Sequence, residues 1–279
     1  MAETGKINKL KIVKELDFGL YLDGGEQGEI LLPRRYVPEN WKIGEELDVF
    51  IYFDSDDRII ATTETPLAMV GDFALLEVIS VNNIGAFMNW GLMKDLLVPF
   101  REQKIKMETG KSYIVYVYLD EETNRIVASS RVDRFLNRLP VEYEVGQMVD
   151  LINYGQTEIG KKVIINNTHW GLIFNTDLFQ KVERGQHLKG YIKNIRTDQK
   201  IDICLSKPGY EKIDEVSQSI IEIIRKHSGH IEVTDKSPVE VIYNLFGVSK
   251  KTYKKAIGAL YRKKLIILDE IGIRLNDEE

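Results

Sequence analysis

Between Ser249 and Lys264 the chain places seven basic side chains and no acidic one. At 100° per residue, Lys251, Lys254, Lys255 and Arg262 fall in one sector of a helix, with Lys250 in the same run, opposite an apolar stripe of Tyr253, Ala256, Ile257 and Leu260. A one-signed face of this kind can neutralise phosphates, and because lysine is a point charge it does so with little choice of base. A second chemistry is available to Phe18, Tyr21 and Phe87, each within two residues of a glycine in a strand-like segment. An exposed ring there offers a π-face on which an unpaired base can stack. Arg34 and Arg35, and farther on Lys104 and Lys106, stand in loops that follow such segments and can meet phosphates. Plainer roles exist for all of them. A strand has two faces, so an aromatic residue can as well be core, and sequence fixes only its parity; loop and helix lysines are commonly just solvated.

Covalent and metal chemistry has little to work with. The chain has no P-loop and no paired cysteine motif. Its one cysteine, Cys204, lies in an expected strand and reads as a buried, inert thiol. His227 and His230 are close enough to share a metal but lack a third ligand at recognisable spacing. Asp54, Asp56 and Asp57 could imitate a cation loop, and ordinary turn chemistry accounts for them more simply. No catalytic residue, cofactor or metal is therefore assigned. The net charge of −5 argues against a strong electrostatic footprint spread over the whole molecule and favours local basic clusters. With one cysteine and no apparent signal peptide or apolar span, a reducing cytoplasm is the expected location.

The elements that must position these groups announce themselves through glycine. Gly19, Gly85 and Gly160 each have a glycine 14 residues before (Gly5, Gly71, Gly146) and another 25 after (Gly44, Gly110, Gly185). Apolar pairs (Leu31 and Leu32, Leu97 and Val98, Leu172 and Ile173) and a later isoleucine (Ile60, Ile126, Ile201) keep the same register. One small unit is thus used three times. Each copy reads as five short strands, with a polar turn after the second and a longer irregular connection after the third. The turns carry Gly24 and Gly25, Asn89 to Gly91, or Asn166 and Asn167, residue types that tolerate positive φ. Five strands in about 60 to 70 residues match the Greek-key barrel of the OB-fold. The middle glycine relieves crowding where a barrel strand bends, and the others sit at turns.

The pattern changes period after Pro208 and Gly209. Ile213, Val216, Ile220, Ile223 and Ile224 recur at helical spacing. Ser237 to Glu240 reads as a capping box with proline at the first helical position, opening a helix that stops at Gly247; Ser249 caps the next. Two short strands, Leu265 to Leu268 and Ile271 to Leu275, complete a winged helix. The second and third copies are farther apart than the first and second, and Phe135, Leu136 and Leu139 are expected to form a short connector helix ending at Pro140. The link from Thr62 to Leu67 is short, so the first two barrels should touch.

Phe18-Gly19-Leu20-Tyr21-Leu22 and Ile84-Gly85-Ala86-Phe87-Met88 resemble the signature of S1 RNA-binding domains. Ile164 to Leu172 and Ser249 to Tyr261, with the order of domains, resemble the bacterial CvfB-type (conserved virulence factor B) RNA-binding family. The resemblance implies a mainly β, multi-domain chain. Three tandem S1-like OB barrels (1–66, 67–139 with the connector, and a divergent 140–207) precede a small α+β winged-helix domain at 208–279. It further implies stacking on single-stranded RNA by Phe18, Tyr21 and Phe87, with Ile84, Ile159 and Lys162 at the remaining positions. A third family position, commonly histidine, is Leu32, Val98 and Ile173 here. On this reading the first copy is the best binder and the third a spacer or a backbone binder, in a non-catalytic post-transcriptional regulator. Two other readings stay open: a regulator that grips duplex DNA with the winged helix, and a protein-interaction scaffold.

Overall fold

The computed structural model describes residues 2–178, 181–206 and 213–276. They divide into two compact units, Met1–Arg138 and Leu139–Glu279. The first unit holds two closed barrels. One is built from β1 (Ile7–Leu16), β2 (Gly19–Asp23), β3 (Glu29–Pro33), β4 (Glu46–Phe53) and β5 (Ile59–Thr62); the other from β6 (Phe73–Val81), β7 (Gly85–Asn89), β8 (Leu96–Pro99), β9 (Ser112–Leu119) and β10 (Ile126–Ser129). The second unit begins with a third closed barrel of β11 (Met148–Gln156), β12 (Gly160–Ile165), β13 (His169–Phe174), β14 (His187–Ile195) and β15 (Ile201–Cys204). All three share one topology, with the third and fifth strands the parallel pair.

The glycine register has a steric and a conformational cause. At Gly19, Gly85 and Gly160 a Cβ would lie 2.2, 2.3 and 2.0 Å from the carbonyl oxygens of Leu32, Val98 and Ile173. The first residue of each second strand must therefore be glycine for the third strand to come this close. The outer columns adopt left-handed φ, as at Gly71 (95°) and Gly110 (79°). Both make a recurring backbone bond: Gly5, Gly71 and Gly146 donate to Ile51, Val117 and Ile192, and Gly44, Gly110 and Gly185 to Ile12, Val78 and Asn153. The latter acceptors begin a β-bulge repeated in β1, β6 and β11, which twists the first strand and turns its far end outward. Gly24 differs from expectation, with φ −85°; a Cβ there would lie 2.6 Å from the Gly28 carbonyl, and Gly25 and Gly28 supply the positive φ instead.

Alternation along the second and third strands sends Leu20, Leu22, Ile30 and Leu32 inward in the first barrel, and Ala86, Met88, Leu96 and Val98 inward in the second. Leu32, Val98 and Ile173, aligned above with a binding position, are wholly buried core residues. The residue just before each of them, Leu31, Leu97 and Leu172, faces outward.

The first two barrels form one body. Phe50, Tyr52 and Ile60 of the first belong to the apolar cluster of the second, where the Phe50 ring meets Trp90 edge-on at 5.7 Å. Leu67, at the end of the short link, donates to the Trp90 carbonyl of the second barrel (2.7 Å), and Val70, just beyond it, to the Gly5 carbonyl of the first (3.0 Å). The expected connector helix is absent. Only one 3-10 turn forms, Val132–Arg134, after which Phe135 stacks on Tyr116 at 4.3 Å and Leu139 is exposed. An aromatic shelf of Tyr116 and Tyr118 on the barrel holds Phe135 instead.

The C-terminal domain comprises α1 (Ile213–Lys226), β16 (His230–Ile231), α2 (Val239–Phe246), α3 (Lys250–Arg262), β17 (Ile266–Leu268) and β18 (Ile273–Leu275), with sheet order β16-β18-β17. Ile220, Ile224, Ile242, Tyr253, Ile257 and Leu260 make its core. Ser249 caps α3, accepting from the Thr252 amide. The capping box does not form: Pro238 itself is the N-cap of α2, and the Ser237 hydroxyl oxygen accepts from Thr234 N (2.9 Å). A proline with extended ψ already ends the preceding chain there, leaving the serine free for its own turn. Pro208 and Gly209, read as the boundary, lie outside the described residues.

Gly85→Ala should lower the stability of the first unit by about 1–3 kcal/mol or more, since a backbone carbonyl cannot give way as a side chain can. Gly110→Ala has open space around it and should cost only the left-handed penalty of about 1–2 kcal/mol. Urea unfolding of both variants checks this order.

Candidate nucleic-acid interface

Parity decides what each aromatic side chain can do. In β2, Leu20 and Leu22 fill the barrel, so Tyr21 between them stands half-buried on the outer face. Phe18, just before the strand, is 54% exposed, and the two rings meet edge-to-face at 6.2 Å. The Lys14 ammonium lies 4.6 Å from the Tyr21 ring centre and pairs with Glu29. It is brought there by the bulge between Ile12 and Lys14. An open aromatic edge and a cation thus sit together on the first barrel. In the second, Phe87 is outward between buried Ala86 and Met88, and Ile84 is exposed.

The third barrel does not lack aromatic residues. Ile159 is exposed, but Lys162 lies 3.5 Å from the Trp170 ring centre and 5.7 Å from that of Tyr154, and these two rings contact edge-to-face at 5.0 Å. The ring positions have moved from the second strand to its two neighbours. The signal was in β13, where His169, Gly171 and Ile173 are inward and Trp170, Leu172 and Phe174 outward. Only the pairing of β12 with β11 and β13 reveals that these rings flank Lys162.

The basic candidates differ in how much charge they have to spare. Arg34 pairs with Glu15 (2.8 Å) and donates to the Leu16 carbonyl, so its guanidinium buttresses the turn that carries Phe18. Arg35 is exposed, its guanidinium 4.7 Å from the Tyr36 ring centre. Lys104 pairs with Asp133 (2.9 Å). On α3, Lys250 donates to the carbonyls of Lys236 and Ser237, Lys254 pairs with Asp235 (3.3 Å), and Arg262 donates to the Gly258 carbonyl. Lys251 and Lys255 are exposed, and among the described residues no acidic group or carbonyl engages them. Of the basic sector, these two present undivided charge.

The remaining chemistry is structural. Asp54 accepts from the amides of Asp56 and Arg58 and from the Arg58 guanidinium, an Asx-type turn; its pKa is lowered by these hydrogen bonds against the opposing effect of burial. Among the described residues no group of three or more His, Cys, Asp or Glu is arranged to hold a metal ion. No described helix is long and apolar enough to cross a membrane. Cys204 is half-buried, and burial pushes its thiol up to about 11.

Comparison with known proteins agrees with this architecture. Residues 4–64 match the family model of the S1 domain, and residues 218–275 that of the CvfB-like winged helix domain. Curated proteins called conserved virulence factor B are similar to this chain along nearly its whole length. That of Staphylococcus saprophyticus is 22% identical over 99% of this chain and 95% of its own. That of Staphylococcus epidermidis is 23% identical over 98% and 94%. A Streptococcus pneumoniae multidomain protein with nucleic-acid-binding domains, known from its crystal structure, is 22% identical over 98% of each chain, with a TM-score of 0.41. An S1 domain and a winged helix of this type support a nucleic-acid-binding protein.

The raised Cys204 pKa leaves about a thousandth of the thiol ionised at pH 8. Alkylation by iodoacetamide should accordingly be slow at neutral pH and accelerate steadily up to about pH 11. A rate plateau below pH 9 would contradict the assignment.

Proposed function

We propose that this chain binds single-stranded RNA on the outer faces of its first two barrels and holds the phosphates with the winged helix, as a post-transcriptional regulator without catalytic chemistry of its own. The observation that carries the reading is the Phe18 and Tyr21 pair, turned outward beside Lys14 on a strand whose alternate residues fill the core. Duplex DNA hides base faces inside its stack, whereas a single strand offers them, at roughly 1–3 kcal/mol per stacked base. Phe87, at the position of Tyr21, offers a single outward ring in the second barrel. Because the two barrels are one body, modest sites on each act on the same strand at high effective concentration. Arg35 and Lys104 are exposed in the segments that follow the third strands, and Lys251 and Lys255 supply the uncommitted charge of α3.

A second reading has α3 leading, in the major groove of duplex DNA. Its support is the same pair of lysines, Lys251 and Lys255, on the helix that such domains present to DNA. The balance favours RNA because α3 offers few side chains able to read base edges, while the barrels offer rings.

Competition between an unstructured RNA and a duplex DNA of equal length separates the two, with the RNA expected to win. Phe18→Ala with Tyr21→Ala should weaken RNA binding roughly tenfold or more, the loss of at least one stacked base. Unchanged affinity would remove the first barrel from the interface. Lys251→Ala with Lys255→Ala should flatten the dependence of log affinity on log salt by roughly 0.7 per lost phosphate contact. The aromatic variant should leave that slope unchanged.

A further inference from the structure

Beside Phe87 the first two barrels enclose a cleft of about 410 Å³, within the roughly 300–1,000 Å³ range of small-ligand sites. One wall is the outer face of the second barrel, where Phe87 of β7 is paired with Leu97 of β8, and Leu97 with Val127 of β10. The other wall is the end of β4 with the turn that follows it in the first barrel, including Phe53 and Asp57. Asp57 is the latch. It pairs with Arg125 and, at 3.6 Å, with Lys94, both from the second barrel, and Lys94 also donates to the Asp54 carbonyl at 2.6 Å.

The charge in this cleft is unevenly shared. Two cations attend Asp57, while the carboxylate of Asp95, which also lines the cleft, has no hydrogen bond or ion pair among the described residues. Asp95 precedes β8 and stands in register with outward Leu97, with buried Leu96 between them, so its carboxylate shares a face with the Phe87 ring. Burial alone acts on its pKa, and raises it. A partly desolvated carboxylate without a donor is a cost that a ligand bringing N–H groups would offset.

We infer that this cleft is a base-selective pocket in which a guanine stacks against Phe87 and presents its N1–H and 2-amino donors to the two oxygens of Asp95. Guanine is the base whose Watson–Crick edge carries two adjacent donors. Adenine and cytosine set a ring acceptor beside their amino group, and uracil flanks its one N–H with two carbonyls, so each would turn a lone pair toward the carboxylate. Arg125, more than half exposed at the rim, is placed to meet the attached phosphate without leaving Asp57. The inference rests on the single-strand reading above and adds to it a choice of base.

The test uses the full-length protein and an eight-nucleotide RNA of adenine and uracil with one central guanine, against the same RNA with inosine in place of guanosine. Inosine keeps N1–H and lacks the 2-amino group. The unaltered protein should favour the guanine strand roughly tenfold, the discrimination expected of one paired contact. Asp95→Asn, nearly isosteric, keeps one acceptor; with Oδ1 turned to N1–H its own NH2 faces the 2-amino group, which should bring the two strands to near equality. Phe87→Ala should weaken both strands alike. Equal binding of the two RNAs by the unaltered protein, or a guanine preference that survives Asp95→Asn, overturns the pocket while leaving single-strand binding in place. Failure of every RNA to bind at low salt overturns both.

Discussion

Everything in the barrels depends on one close approach, that of the second strand's first residue to a carbonyl of the third. With a Cβ at Gly19, Gly85 or Gly160 the carbonyls of Leu32, Val98 and Ile173 would stand at 2.0 to 2.3 Å, far inside contact distance. The absence of a side chain lets the two strands close on each other at the point of sharpest bend, and the rest of the sheet can then curl until the first strand meets the fourth. The same bend sets the parity of the second strand, and so which of its residues leave the core. Tyr21 and Phe87, two residues beyond their glycines, are outward for that reason.

The bulge in each first strand is the second element of this geometry. It is held by the amide of the glycine that precedes the fourth strand, and it redirects the strand end beside the outer face. In the first barrel this delivers Lys14 to the Tyr21 ring, joining a cation to an aromatic edge. In the third barrel the corresponding region brings Tyr154 against Trp170, with Lys162 over the ring. One backbone frame therefore displays three different surfaces.

Between the first two barrels the outer surface is shared. Phe50 and Trp90 make an apolar seam, and Asp57 draws Arg125 and Lys94 across it. Exposed ion pairs contribute at most about 1 kcal/mol each, so the seam supplies the stability and the charges set the orientation. Fixing the barrels in this way turns part of the second barrel's outer face into one wall of a cleft. The face that contains Phe87 is consequently more enclosed than the one that contains Phe18 and Tyr21, although the two motifs look alike.

Much of the fold follows from sequence alone, because backbone geometry restricts residue type. Left-handed turns and a sub-contact carbonyl select glycine, so three copies of one barrel are visible as three glycine registers. The helical period and Ser249 likewise determine the C-terminal domain and the exposed sector of α3. Side-chain partners leave no such trace. That Lys250 and Lys254 are engaged while Lys251 and Lys255 are not depends on Lys236, Ser237 and Asp235, which reach α3 through the fold. The connector helix and the capping box failed for a related reason: the Tyr116 shelf and the conformation at Pro238 outweighed local pattern. Which way an aromatic residue faces, which rings adjoin across strands, and which carboxylate is left without a donor are matters of pairing between distant segments. Tertiary structure decided those, because strand alternation specifies two faces and only closure of the barrel makes one of them the inside.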